Sequence, residues 1–128
     1  PAVNVKQGII YQSYSKGDAP LQVRTNKGRD YYIKLVEPST QKTIMTAYVV
    51  GGAPFETDVP LGSYEMRYAS GSTWYGMDYL FGPKTIYAKA GQLLDFSFNG
   101  SQYQGNTVEL ILQVNGNLST HSISATSF

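Results

Sequence analysis

Cysteine is missing from this chain of 128 residues. Without a thiol the protein forms no disulfide bond, no thiolate metal site and no cysteine nucleophile. A chain of this length can bury a hydrophobic core large enough to fold without such cross-links. The sequence also lacks any motif for a cofactor or a metal ion, so we expect the protein to bind neither.

Charge is also scarce. Charged residues make up 15% of the chain and the formal net charge is +1, whereas an average globular domain is roughly one-quarter charged. Duplex nucleic acid needs a concentrated basic surface, so a nucleic-acid partner is not expected. The nearest approach to a basic cluster is Arg24, Lys27 and Arg29 around a predicted turn, which forms either a solvated tip or a phosphate site.

Long apolar runs are absent as well. No stretch reaches the length of about 18 apolar residues that marks a membrane-spanning helix, and the N-terminus lacks the basic-then-apolar pattern of a signal peptide. The first residue is Pro1 rather than methionine. We expect residues 1–128 to form a single domain cut from the C-terminal part of a longer precursor, exported or tethered by an anchor outside these residues.

Short segments of alternating apolar and polar residues fill the chain, separated by glycine, proline and Asn-Gly. A period of two is typical of β-strands. The predicted strands are residues 9–14, 21–25, 31–37, 43–50, 55–59, 63–69, 85–88, 93–98, 107–114 and 118–123. Many short strands without helices between them predict an all-β, antiparallel two-sheet sandwich, immunoglobulin-like or prealbumin-like, with a β-barrel as the alternative.

Two of these strands indicate which face is buried, because apolar side chains alternate with polar ones along them. The apolar positions are Tyr64, Met66 and Tyr68 in one strand and Leu94, Phe96 and Phe98 in the other. Successive side chains of a strand point to opposite faces, so each strand is expected to have one buried face and one wet face.

Two Asn-Gly pairs predict hairpin turns. A type I′ turn needs positive φ at both central positions, which Asn-Gly tolerates. Asn115-Gly116 lies between two strand-like segments and predicts antiparallel pairing of the last two strands. Asn99-Gly100 makes a weaker case, because residues 101–104 form a poor partner strand.

The segment 55–71 resembles prealbumin-like, or carboxypeptidase-regulatory-like, β-sandwich modules. In those modules a strand ends in a Val-Pro-x-Gly turn and the next strand begins with a tyrosine that faces the core. Val59-Pro60-Leu61-Gly62 and Tyr64 match that pattern. The resemblance covers about a seventh of the chain, carries no catalytic residues and implies an accessory, positioning or adhesive domain.

Most of the chain resembles an uncharacterised domain of bacterial proteins. The matching segments are Tyr31-Tyr32-Ile33-Lys34-Leu35, Trp74-Tyr75-Gly76, Leu80-Phe81-Gly82-Pro83 and Gly116-Asn117-Leu118-Ser119. Such domains often follow a membrane-spanning or other N-terminal segment. The resemblance implies a bacterial origin and a tethered or exported domain, and it brings no known activity.

Residues 71–83 contain the chain's only tryptophan, three glycines and a terminal proline. Glycines and proline interrupt regular structure, so we predict a packed loop that carries large aromatic side chains. Trp74 and Phe81 are expected to turn inward and seal one end of the sandwich. Tyr75, Asp78 and Tyr79 are expected to contact a partner, although Trp74 also belongs to the candidate contact set, because aromatic rings provide large contact area at low entropic cost.

Asp78 is the most interesting carboxylate, because it lies within this loop. It either holds the loop by a bond to its own backbone or accepts a ligand hydroxyl. Glu56 and Asp58 project from one face of a predicted strand about 7 Å apart, either as its wet face or as a catalytic pair. His121 is the only histidine, which favours a surface strand position over a catalytic base.

These features favour a non-catalytic binding or structural module that recognises a protein or glycan partner, in a setting such as the bacterial cell envelope. The candidate contacts are Trp74, Tyr75, Asp78 and Tyr79. Two alternatives remain: a small hydrolase that uses Asp78, Glu56 or Asp58, and a β-domain that self-associates through its edge strands.

Overall fold

The computed structural model describes residues 2–110 and 120–128, which form eleven strands. The first six are β1 (Gly8–Gln12), β2 (Ala19–Thr25), β3 (Asp30–Val36), β4 (Thr43–Val49), β5 (Phe55–Val59) and β6 (Gly62–Gly71). The others are β7 (Ile86–Ala90), β8 (Leu94–Phe98), β9 (Tyr103–Gln104), β10 (Asn106–Leu110) and β11 (Thr120–Ser122). Two short 3-10 helices lie at Gly82–Lys84 and Ala125–Ser127. The prediction of an all-β chain is confirmed.

Eight strands belong to a large antiparallel sheet. Its main path is β1-β4-β3-β6-β7-β11, and β8 pairs with the first residues of β6 and with β9. The β3–β6 pairing is the longest, since it aligns seven consecutive residues from Asp30 opposite Gly71 to Val36 opposite Glu65. Strands β3, β4 and β6 therefore form the centre on which the rest of the sheet is built.

A smaller sheet has the order β10-β2-β5. β2 and β5 pair antiparallel, with Ala19 opposite Val59. β10 and β2 pair in parallel, with Asn106 opposite Leu21. The expectation of an entirely antiparallel arrangement is wrong at this pair, because the chain crosses from the large sheet before it reaches β10.

The main core lies where the two sheets share one hydrophobic cluster. Strand residues with no exposed surface, such as Leu21, Val23, Ile33 and Leu35, belong to it. Tyr64 and Met66 are buried there and Tyr68 packs against it, which confirms the predicted inner face of β6. Burying each large aliphatic side chain contributes roughly 1.5–3 kcal/mol, so this cluster supplies most of the stabilisation.

The opposite face of the large sheet, called the outer face below, carries a second cluster. Its buried members are Tyr32, Tyr48, Ala69, Trp74 and Phe81. Strand β4 is consequently buried on both sides, which explains why its sequence shows no clear alternation. The wet face predicted for β6 and β8 holds at the exposed Asp95 and Ser97 and at the partly exposed Glu65 and Arg67. The second cluster lies over β3 and β4 and reaches β6 at Ala69.

Two predicted turns are present. Gly62 has φ +145° after Pro60, and the Tyr64 hydroxyl donates to the Pro60 carbonyl at 3.0 Å. At the β8–β9 hairpin Gly100 has φ +99°, and the Asn99 side chain accepts from the Gln102 amide at 2.8 Å.

The predicted burial of Phe98 is wrong. Its side chain is 49% exposed, and its ring packs on Tyr103 at 4.9 Å between centroids. Phe98 lies at the end of β8 beyond the residues paired with β6, so the shared core does not reach it.

The Asn115-Gly116 turn and residues 111–119 of the two predicted strands around it lie outside the described residues. Their described ends belong to different sheets, since β10 pairs with β2 and β11 pairs with β7. Within residues 2–110 and 120–128, no helix has the length and apolar character needed to cross a membrane.

Candidate binding site at the aromatic loop

The aromatic loop, residues 72–85, connects β6 to β7 and folds over the outer face. Short main-chain hydrogen bonds close it on itself: the Tyr75 amide donates to the Leu80 carbonyl at 2.7 Å, and the Leu80 amide donates to the Gly76 carbonyl at 2.7 Å. The Thr85 hydroxyl accepts from the Phe81 amide at 3.1 Å and donates to the Gly82 carbonyl at 2.6 Å. The loop is thus a packed unit, as the sequence predicts.

Trp74 and Phe81 form the buried base of the loop. Trp74 is 6% and Phe81 4% exposed, and their ring centroids are 5.2 Å apart. Trp74 also meets Tyr48 edge to face at 5.1 Å. The predicted inward orientation of these two side chains is confirmed. The predicted location is not, because they cover the outer face of the large sheet rather than one end of a sandwich.

Tyr48 ties this base to the neighbouring turn. Its hydroxyl donates to the Asp30 carboxylate at 2.5 Å, and the same carboxylate accepts from the Gly51 amide at 2.9 Å. Burial raises the pKa of Tyr48, and the hydrogen bond and charge of Asp30 raise it further. The phenol therefore stays a neutral donor under Trp74 across the ordinary pH range.

Tyr75 and Tyr79 form the accessible side of the loop. Tyr79 is 72% exposed, while the Tyr75 ring is half-buried and lies against Gly82, where a Cβ would come within 3.0 Å of it. A shallow apolar depression of about 600 Å³ is lined by Ala2, Val3, Tyr75, Tyr79, Gly82 and Pro83. The two tyrosines therefore present ring surface and hydroxyl groups at one opening.

A second depression of about 460 Å³ shares two lining residues, Tyr75 and Pro83, with the first. Arg29 and Lys84 supply its positive charge. Arg29 is held by Ser70, whose hydroxyl accepts from Nε at 3.3 Å, whereas Lys84 is exposed. The loop thus lines one apolar depression and one that carries positive charge.

The sequence did not indicate that Arg29 belongs beside the loop. It groups Arg29 with Arg24 and Lys27, but the structure separates them. The β3–β6 register places Asp30 opposite Gly71, which brings Arg29 to the start of the loop, while Arg24 lines a depression beside β5. Only long-range strand pairing creates this contact, and no local pattern reveals it.

The candidate carboxylates do not lie together in these depressions. Asp78 is exposed, and its carboxylate forms no hydrogen bond with the described residues, so the predicted bond to its own backbone is wrong. The loop is closed by main-chain bonds instead. Glu56 accepts from Gln22 at 3.2 Å and lines the depression beside β5 without Asp58. Both loop depressions are lined by residues other than acids.

His121 lies on β11 opposite Lys89 and is exposed. Metal sites need several converging ligands. Across residues 2–110 and 120–128, no three histidine or acidic side chains gather in a way that could hold a metal ion.

No protein-family model matches the chain, and neither a curated protein nor a solved structure is significantly similar to it. The bacterial and prealbumin-like resemblances therefore stay predictions.

Proposed function

We propose that the protein is a non-catalytic binding module that holds a glycan against the aromatic loop. The observation that carries the proposal is the exposure of Tyr79, at 72%, beside the half-buried ring of Tyr75 on a loop whose base is fixed by Trp74 and Phe81. A rigid base with accessible rings favours binding, because little side-chain entropy is lost when a ligand docks.

The size of the two depressions fits a small ligand such as a short glycan. Their volumes of about 460 and 600 Å³ fall in the range of roughly 300–1,000 Å³ that is usual for small-ligand sites. Asp78 is exposed in the same loop but lines neither depression, so in this proposal it accepts a hydroxyl only from a sugar that extends beyond them.

The finer architecture is part of the same proposal. The two sheets share one core cluster, which supports a sandwich of immunoglobulin-like or prealbumin-like type with the aromatic loop outside its core. The cell-envelope setting is an inference from the bacterial resemblance alone.

The proposal is tested by screening the purified protein against an array of bacterial and plant glycans and measuring the best ligand by calorimetry. Tyr79→Ala and Tyr75→Ala should each weaken binding at least about tenfold, because each removes aromatic contact area. Tyr11→Ala is the matched control, since Tyr11 is 49% exposed on β1, and it should bind normally.

The unfolding midpoint of Tyr79→Ala should equal that of the native protein, because the side chain is mostly exposed. Unchanged affinity in a folded Tyr79→Ala variant would contradict the proposal. Capture of a protein partner that depends on Tyr79, with no glycan bound, would assign the loop to protein recognition instead.

A further inference from the structure

A row of basic side chains crosses the outer face of the large sheet. Lys34 lies opposite Arg67, Arg67 opposite Lys89, and Lys89 opposite His121. Directly opposed residues share a face, so these four side chains lie at one level on the neighbouring strands β3, β6, β7 and β11. We call Lys34, Arg67, Lys89 and His121 the basic row.

This arrangement costs stability in the free protein. Like charges directly opposite each other on paired strands are destabilising. Burial lowers the pKa of Lys34, and the charge of Arg67 lowers it further. The whole chain is nearly balanced in charge, with 10 lysines and arginines against 9 acidic residues. Three of these cations on consecutive strands are therefore a local excess of positive charge.

Two cations of the basic row, Lys34 and Arg67, have partners that offset part of this repulsion. Arg67 Nε lies 2.6 Å from the Glu65 carboxylate, the one ion pair among the described residues. The Lys34 ammonium donates to the main-chain oxygen of Phe128 at 2.8 Å and lies 4.1 Å from the centroid of its ring. Both cations are therefore fixed in position.

The other two members of the basic row, Lys89 and His121, have none of these partners. Lys89 is partly exposed and His121 exposed, and neither side chain forms a hydrogen bond or an ion pair with the described residues. The imidazole can donate a hydrogen bond to an anion from a ring N–H. An anion that lies along the basic row would reach Lys89 and His121 directly and would relieve the repulsion from Arg67.

We propose that the basic row binds an anionic polysaccharide, a linear chain of uronate sugars that lies across the strands. Neighbouring strands are about 4.7–4.9 Å apart, so the cations recur at about that distance. In an extended two-fold polyuronate the carboxylates of neighbouring sugar rings face opposite sides, so those on one side recur at every second ring, which is about two strand spacings. Alternate cations of the basic row, such as Lys34 and Lys89, would meet them. The rings of Tyr87 and Phe128, 5.4 Å apart and both half-buried on the same face, lie beside Lys89 and Lys34 and can pack against the sugars.

An acidic peptide fits this geometry less well. In an extended peptide, side chains on one face recur every roughly 6.6 Å, which is two residues of about 3.3 Å each. A peptide strand also gains its main-chain hydrogen bonds by running beside an edge strand. At β11 it would run at right angles to the basic row and meet only His121.

The test uses oligogalacturonate as the probe, with calorimetry at low and physiological salt. Lys89→Ala should weaken binding about tenfold and Lys89→Ala with His121→Ala should weaken it further, whereas Lys89→Arg should keep it. Binding should fall as salt is raised, because these charges are accessible to counterions. The probe should also raise the unfolding midpoint of the native protein by linkage.

Lys16→Ala is the matched control. Lys16 is exposed, so its replacement removes the same charge from the surface. The next residue, Gly17, packs on the main chain of Asp58, so Lys16 lies beside the small sheet rather than on the basic row. An equal loss of affinity in Lys16→Ala would overturn the proposal, because the probe would then be attracted by the overall charge of the protein rather than by the basic row. Tighter binding of poly-L-glutamate than of oligogalacturonate would also overturn it.

The basic row is separate from the glycan contact proposed for the aromatic loop. Tyr79→Ala should bind oligogalacturonate normally. Loss of oligogalacturonate binding in that variant, with Lys89→Ala unaffected, would move the anionic ligand to the loop and refute the site proposed here.

Discussion

Gly71 is the residue on which the outer-face packing depends. It is the last residue of β6 and is buried, with the Phe81 side chain directly above it. A Cβ at this position would lie 2.7 Å from Phe81 Cγ, closer than any normal contact. The absence of a side chain at Gly71 therefore allows Phe81 to reach the sheet and close the cluster around Trp74.

Gly71→Ala is expected to lower the free energy of unfolding by about 1–3 kcal/mol, the usual cost of overpacking a core. Urea denaturation followed by far-UV circular dichroism measures it. Ser72→Ala, at the adjacent exposed position, should change stability by less than about 0.5 kcal/mol. Equal stabilities for the two variants would show that Phe81 has room to move.

At the level of elements, the aromatic loop acts as a cover for the central strands. Tyr32 on β3 and Tyr48 on β4 both contact the Trp74 ring, at 5.7 and 5.1 Å between centroids. The Val3 amide donates to the Trp74 carbonyl at 2.8 Å, so the N-terminal segment is attached to the same cover. Removal of the Trp74 side chain would uncover the sheet beneath the loop to which that segment is attached.

Trp74→Ala should therefore reduce stability by about 3–5 kcal/mol, as expected for a large aromatic side chain removed from a core. Guanidinium denaturation gives the stability, and near-UV circular dichroism should show the loss of ordered aromatic packing. Tyr79→Ala, in the same loop but exposed, should keep the native values. A Trp74→Ala variant as stable as Tyr79→Ala would mean that the loop rests on the sheet without supporting it.

The positions of the strands could be predicted from the sequence, because alternation and turn residues are local signals. The predicted strand 55–59 matches β5 at both ends. The faces of β4 could not be assigned, because Met45 and Tyr48 both meet hydrophobic cover on opposite sides of the sheet. The burial of Trp74 was predicted, yet the surface it covers depends on long-range contacts that no local pattern encodes.

Across the whole molecule, buried tyrosines make the stability of the fold depend on pH in the alkaline range. Five tyrosines have a raised pKa, and burial is the main cause for each of them: Tyr14, Tyr31, Tyr32, Tyr48 and Tyr64. The pKa of Tyr14 reaches about 12. A raised pKa means that the folded state favours the neutral phenol. The resulting stability is complete below the unfolded pKa of about 10 and is lost as the pH rises through the folded pKa.

We therefore expect these tyrosines to leave the free energy of unfolding unchanged up to about pH 10. The protein should then unfold cooperatively as the pH approaches about 12. Tyrosinate absorbance and far-UV circular dichroism should be recorded over the same titration. The five buried phenols should ionise together with the loss of β-structure. Their ionisation in a protein that keeps its circular dichroism would contradict the assignment, and Tyr14→Phe should unfold at higher pH than the native chain.

The parallel pairing of β10 with β2 also constrains the order in which the chain can fold. β5 can pair with β2 once residue 59 has left the ribosome, but the partner of Leu21 on the other side is Asn106. Until residues 106–110 leave the ribosome, one edge of β2 has no partner, and such an edge invites pairing with other chains. Nascent or truncated chains that lack β10 should consequently be more prone to aggregate than the finished protein.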